Sequence, residues 1–522
     1  MKRRASQDQA TPGQQRSTTI SLPAPVGGLN TRDPLSNMDE MDAIVLNNWY
    51  PDGAKVSTRK GAANHLIGMA KPVKSLITYS NPTKTELFAC TDDGIFDASV
   101  AGAVGTAKKA LTNGYVQHVN YRTSAGSFLV IVNGTDEMVG YDGTTWLSIN
   151  ALSSPAITGV LSETLVHVNI FKNRLWFIEE NEMSVWYMPV SSVGGAATEF
   201  PMGQVFPRGG YLMAMGTWTI DGGSGVDDLA VFASSEGEIA VYQGTDPSSP
   251  STFSLVGVYY VGAPLGRRCF VKFGGDLLYL SKQGLYPLSK AFASASIDRS
   301  IALSNKIDPT FIDYADRYGD NVGWEMTIFP KAGFIIVNVP TEVGVTSEHL
   351  VVNLVSGSWS RFTGWNARCF ALWDDRLFFG GETKVAECWT GTSDFGANIV
   401  AAAQSAYSYF GRMSQLKHFK LVRPILVVER FRVLNLGMAI EVDFNETSGL
   451  SSVQLGNNAI STFDTDDWDL AVWAAGKEVL RDWYTLAAPD GYAVSFEIRV
   501  SSNQTITDWA ATDFVLQQGG VL

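Results

Sequence analysis

The chain has 522 residues with 39 Lys+Arg against 52 Asp+Glu, a net charge of −13, and charged residues at only 17% of positions. With 45% apolar residues, 11% aromatics, 50 glycines and 4 cysteines, the composition excludes a disordered chain, a collagen and a disulfide scaffold. The length suits about two to four domains, and the acidic balance argues against general nucleic-acid binding, which needs clustered Lys and Arg to displace counterions from phosphates.

Residues 1–19 are polar and aperiodic and are expected to form a flexible arm. Lys2-Arg3-Arg4 is followed by Ser6 to Gln15 where an export signal needs an apolar stretch, so folding in a cytoplasm is expected. The long uncharged runs Gly143 to Ser162 and Pro247 to Gly266 are broken by Pro155, Pro250 and Pro264, so no membrane span is expected. Residues 20–69 form an N-terminal segment that begins extended, and acids in its first turn predict a short helix over Asp39 to Asn48.

Across 70–394 one unit recurs: a polar turn, an apolar strand, a second turn, and another strand that often ends on an aromatic. It starts near Glu86, Phe128, Arg174, Asp228 and Asp276, and less regularly at Phe334, His349 and Arg376. Leu277 to Leu280 and Ile335 to Val337 are apolar on both faces, which implies burial between other layers. Radially packed blades supply such layers, and at roughly 45 to 50 residues per blade the span holds six or seven. The fold expected is mainly β: a β-propeller-like central domain, with one or two β-sandwiches as the alternative for this span.

Residues 395–411 read as an Ala-rich linker, and 412–522 as a C-terminal β-rich module. Arg412, Lys417, Lys420, Arg423, Arg430 and Arg432 stand against Glu429 alone, whereas residues 433–522 carry thirteen acids against Lys477, Arg481 and Arg499. Each run reads as a solvated face or as a contact with DNA or a subunit.

Chemistry is not legible. No phosphate-binding loop, nucleophile elbow or zinc-binding His pair occurs, so no catalytic residue, cofactor or metal is expected. Asp464, Asp466, Asp467 and Asp469 suggest a calcium loop, but Asp469 stands where that loop needs glycine and Ala475 where it needs glutamate. Val139 to Trp146 approaches a sialidase-type box through Gly143, Thr145 and Trp146, without its Ser and Asp. Trp359, Trp365 and Trp373 are as readily core residues as sugar platforms. Cys90, Cys269, Cys369 and Cys388 lack Cys-x-x-Cys spacing and are expected as buried thiols.

Gly27-Gly28-Leu29-Asn30, Asp33-Pro34, Asn47 to Gly53, Arg59 and Gly61 resemble the opening of tail hub or nozzle proteins of short-tailed bacteriophages, also called tail tubular or DNA-stabilisation proteins. Trp509-Ala510-Ala511-Thr512-Asp513-Phe514 is similar to their close. The resemblance implies a virion structural protein in a ring of six copies beneath the head-to-tail adaptor. The ring would surround double-stranded DNA in transit and dock a fibre, spike or needle. It also implies a β-sandwich-like platform built from both terminal segments with the propeller inserted between them. Asp464, Asp466, Asp467 and Asp469 are then candidate channel-lining acids, and Arg412, Lys417, Lys420, Arg423, Arg430 and Arg432 candidate subunit or adaptor contacts. The alternatives are a glycan-binding or glycan-cleaving propeller and a propeller scaffold with no virion role.

Overall fold

The structure is a computed structural model and describes residues 17–221, 226–292, 298–429, 432–445, 449–455, 476–486 and 490–521. The chain is mainly β. Among the described residues, seven antiparallel sheets succeed one another from Ser75 onward, and their first strands neighbour one another in a closed ring. Those inner strands are Ser75–Asn81, Gln117–Thr123, Leu165–Phe171, Leu212–Asp221, Phe270–Phe273, Glu325–Phe329 and Cys369–Trp373. The molecule therefore contains a seven-bladed propeller, with blades numbered here in that order.

The blades form because their middle strands are apolar on both faces. Buried side chains fill the spaces between neighbouring blades, and those around blade five join one cluster with the core of the second structure described below. Ile77, Phe88, Leu129 and Val139 fill the space between blades one and two, and Val130, Leu165, Leu175 and Phe177 the next. Trp176, Phe232, Tyr242 and Phe253 pack between blades three and four, with the rings of Tyr242 and Phe253 stacked 5.0 Å apart. Most hairpins legible in the sequence are the second and third strands of these blades, such as Asp276–Ser281 with Gly284–Pro287, and the one starting at His349 is the third and fourth of blade six. The near-sialidase segment Val139 to Trp146 joins the last two strands of blade two, where Trp146 stacks on Tyr141 at 4.3 Å. All four cysteines are buried free thiols.

Ring closure uses a strand from before the repeats. Ala62–Ile67 pairs with Lys384–Cys388 and completes blade seven, so the propeller begins at Ala62 rather than near residue 70. The outer strand of blade six, Trp359–Phe362, meets Asp42–Asn47 and so continues into a second structure. Beyond it lie Ile399–Ser405, Val494–Ser502, Leu434–Val442 and Ser451–Leu455. A facing sheet contains Trp49–Asp52, Lys55–Thr58, Asp508–Val521, Gln415–Glu429 and Lys477–Leu480, with Ser17–Pro23 paired to Asp508–Val521. Ala401, Ala403, Ile440, Phe496 and Ile498 of one sheet share a core with Val422, Leu426, Trp509 and Phe514 of the other. The Phe496 ring lies 5.9 Å from Trp509 and 6.3 Å from Phe514. This is a β-sandwich made from both chain ends, with the propeller inserted between them.

Three further expectations are corrected, the first at Ser17–Thr19, which were expected in the flexible arm and instead open the strand Ser17–Pro23 paired to Asp508–Val521. Asp42–Asn47 is a strand, not part of a helix, because Ile44 and Val45 are β-branched and Ile399–Ser405 offers a partner for their backbone. The segment expected as a linker holds Ile399–Ser405, central in the ten-stranded sheet, where Ala401 and Ala403 are buried.

The joint between sandwich and propeller is polar and buried. Arg59 is 1% exposed and donates to Asn48 Oδ1 at 2.9 Å, Thr363 O at 2.7 Å and both Asp394 oxygens at 2.9 and 2.5 Å, with Trp365 4.6 Å from its guanidinium carbon. Asn48, at φ 57°, donates to Val400 O and accepts from Thr363 N. Gly61 is obligatory, since a Cβ there would lie 1.9 Å from Ser393 O. A second contact comes from the connection between blades five and six, where Lys306 Nζ donates to Gly27 O at 2.8 Å and to Asp42 Oδ1 at 2.5 Å.

Replacing Arg59 with Met leaves Asp394 and Asn48 without their partner, and destabilisation by about 3–5 kcal/mol is expected, measured by denaturant unfolding. An unfolding midpoint unchanged from wild type would show that the joint is held by other contacts. His349, fully buried in blade six, has no hydrogen-bond partner for either ring nitrogen among the described residues, and burial followed by the nearby Arg59 charge lowers its pKa from 6.5 to about 3. The unfolded chain therefore takes up the proton first, so this stability is present above about pH 6.5 and is lost as pH falls towards 3. His349→Leu is expected to reduce the stability lost between pH 7 and pH 5 by about 2 kcal/mol in paired unfolding curves. Identical pH dependence in the two proteins would refute this.

Candidate functional site at the propeller channel

Those of the sequence-predicted charges that are among the described residues lie in the sandwich. Asp464, Asp466, Asp467, Asp469 and Arg430 fall outside the described residues. Lys417 is buried, and its ammonium donates to the carbonyls of Arg412, Gln415 and Tyr492 at 2.9, 3.0 and 2.8 Å; burial lowers its pKa. Arg423 donates twice to Asp513 Oδ2, at 3.0 and 2.6 Å, and lies over Trp483. Arg432 is 3.7 Å from Glu429. Arg412 is exposed and reaches Gln415 and Gln518, and Lys420 is exposed without a partner among the described residues. The basic run is thus divided: Lys417 and Arg423 bond within the sandwich, and Arg412 and Lys420 face outward.

The sequence reading did not single out Arg267 and Arg268, which stand in the connection from blade four to blade five. Successive side chains of an extended segment point to opposite sides, and these two serve different places. Arg268 crosses the propeller channel, donating to Glu325 Oε2 at 2.5 Å, Ser75 Oγ at 2.5 Å and Val116 O at 3.0 Å. One guanidinium therefore ties blades six and one to the start of blade two. Glu325 also accepts from the backbone N–H of Phe370 in blade seven, and burial raises its pKa against the opposing pull of Arg268. On blade two, burial and the Arg268 charge lower the pKa of His118 to about 4.

Arg267 faces a cavity of about 570 Å³ at the channel mouth. Gly266 at φ 80° turns the chain before it. Its Nη1 donates to Met213 O at 3.1 Å and Leu212 O at 3.5 Å. No acceptor for its Nε or Nη2, and no carboxylate within ion-pair distance, occurs among the described residues, and burial lowers its pKa. Glu180, Gln117, Tyr115 and Tyr211 also line the space. Lys282 and Asp320 stand at its rim, 3.0 Å apart and paired with each other.

Chemically, this is a place for an anion with polar substituents. A glycosidase needs two carboxyl groups about 5–10 Å apart, set to act on one bond. Here Asp320 is bound to Lys282 and Glu325 to Arg268, while Glu180 has no cation partner among the described residues. No group of three or more His, Cys, Asp or Glu among the described residues is placed to hold a metal ion. Among the same residues, no helix is long and apolar enough to cross a membrane.

No family model and no curated protein matches the chain. Solved structures similar to it include BBS1N in complex with ARL6DN, at 10% identity over 63% of this chain and 96% of that one, with a TM-score of 0.38. YCF48 from Cyanidioschyzon merolae is 12% identical over 63% and 96%, with a TM-score of 0.33. Sqt1 from Saccharomyces cerevisiae is 11% identical over 67% and 86%, with a TM-score of 0.33. Likenesses this distant carry no argument about function, and the seven blades rest on the closed ring of sheets in this chain.

Proposed function

We propose that the chain is a virion structural protein, the tail hub or nozzle of a short-tailed bacteriophage. Six copies form a ring beneath the head-to-tail adaptor, retain the packaged genome, let double-stranded DNA pass on ejection, and dock a fibre, spike or needle. The observation that carries this reading is the position of the resembling residues. Gly27, Asn48, Arg59 and Gly61 all lie where sandwich meets propeller, and Trp509 and Asp513 lie in the sandwich that both chain ends build. They support one architecture, a propeller inserted into a two-ended platform, which is what the resemblance implies.

In this reading DNA follows the axis of the ring of copies, since Arg268 crosses the propeller's own channel. An acidic lining repels phosphates and keeps DNA from sticking, where a basic one would hold it. That role belongs to the acid-rich 433–522, and the outward-facing Arg412 and Lys420 contact a neighbouring copy or the adaptor.

Electron microscopy of the purified full-length protein is expected to show six-fold rings with an open axis, and a monomer at every concentration, absent from phage particles, would sink the proposal. Reversing the surface charges in Arg412→Glu/Lys420→Glu is expected to leave thermal stability within about 0.5 kcal/mol of wild type while shifting the ring towards monomer in analytical ultracentrifugation. Unaltered rings would remove these two residues from the contact.

A further inference from the structure

The cavity beside Arg267 has no part in the ring reading. Arg267 is half-buried, and an arginine that has given up part of its hydration gains from an acceptor that replaces it. Arg268 has such an acceptor in the Glu325 carboxylate, and Arg267 has no carboxylate: two backbone carbonyls take one of its nitrogens, and its remaining donors meet no protein acceptor among the described residues. Around it, the hydroxyls of Tyr115 and Tyr211 and the side-chain amide of Gln117 likewise have no protein hydrogen-bond partner among those residues, and the Glu180 carboxylate accompanies them in the lining. The volume, about 570 Å³, is within the usual range for a small-molecule site and holds one or two sugar rings.

We propose that this cavity binds an acidic saccharide, with the Arg267 guanidinium taking the sugar carboxylate and Glu180, Gln117, Tyr115 and Tyr211 taking its hydroxyls. The fork of a guanidinium matches a planar carboxylate. One available cation suits a monoanion, and Glu180 alongside it disfavours a phosphate dianion while providing an acceptor for hydroxyl groups. The phenols offer both a hydrogen-bonding tip and an apolar ring for the sugar face. Lys282 is already bound to Asp320 and is not required.

The test is calorimetric titration of the full-length protein with glucuronate, galacturonate and N-acetylneuraminate, alongside glucose, inorganic phosphate and a glutamate-rich peptide. Saturable binding of at least one acidic sugar is expected, with no binding of glucose. Arg267→Met is expected to weaken it ten- to a hundred-fold, the range of a charge-assisted hydrogen-bond pair. Tyr211→Phe removes one hydroxyl from the surface of the cavity, preserves the ring packing and is expected to weaken binding several-fold, so the proposal stays testable if the arginine variant does not fold. Absence of acidic-sugar binding, equal binding by wild type and both folded variants, or preference for phosphate or the peptide would each overturn it. The proposal does not depend on the ring, because Arg267→Met is expected to leave oligomeric state unchanged, and loss of rings in wild type would leave the sugar titration standing.

Discussion

One buried guanidinium governs how the two halves of this molecule are joined. The chain leaves the sandwich at Thr58, enters the propeller at Ala62 and returns past Asp394, and Arg59 binds both crossings. An ion pair this buried gives up much of its Coulombic gain to desolvation, so its contribution is mainly geometric. The fork accepts only one arrangement of Asn48, Thr363 and Asp394, and that arrangement fixes where the two chain passages cross. The positive φ of Asn48 and the close approach at Gly61 are local consequences of the same crossing.

The joint is not a tether. Because Trp359–Phe362 belongs at once to blade six and to the sheet that runs on through Asp42–Asn47 and Ile399–Ser405, a hinge between propeller and platform would have to break a continuous hydrogen-bonded sheet. Lys306, reaching from the blade five to blade six connection to Gly27 and Asp42, resists the same motion from another side. Forces applied to one half are therefore transmitted to the other through strands and not through a loop.

The parts of this fold that the sequence exposes are those whose burial is two-sided. Leu277 to Leu280 and Ile335 to Val337 read as strands between layers because blades cover both their faces. The inner strands are harder to read, since channel positions carry His118, Asn169 and Glu325 and interrupt the apolar pattern. Asp42–Asn47 misleads because its acids suggest a helix start, whereas a partner some 350 residues away makes it a strand. The alanines around residue 401 look like a linker because a small side chain gives no sign of its burial. The site itself was hidden for a different reason: two adjacent arginines have no motif spacing. A usable signal was their position directly after the uncharged run ending at Gly266, where a pair of charges needs a reason.

The antiparallel ladder that sets Ser17 opposite Gln517 brings together residues separated by almost the whole chain. Loop-closure entropy and contact order both oppose such a pairing until most other structure has formed. Trp49 pairs locally with Thr58, whereas the Trp509 ring 6.0 Å from its own comes from a strand some 460 residues further along the chain. The platform therefore rests on pairings of far greater sequence separation than those within the blades, and it is expected to form after them, together with any surface that depends on it.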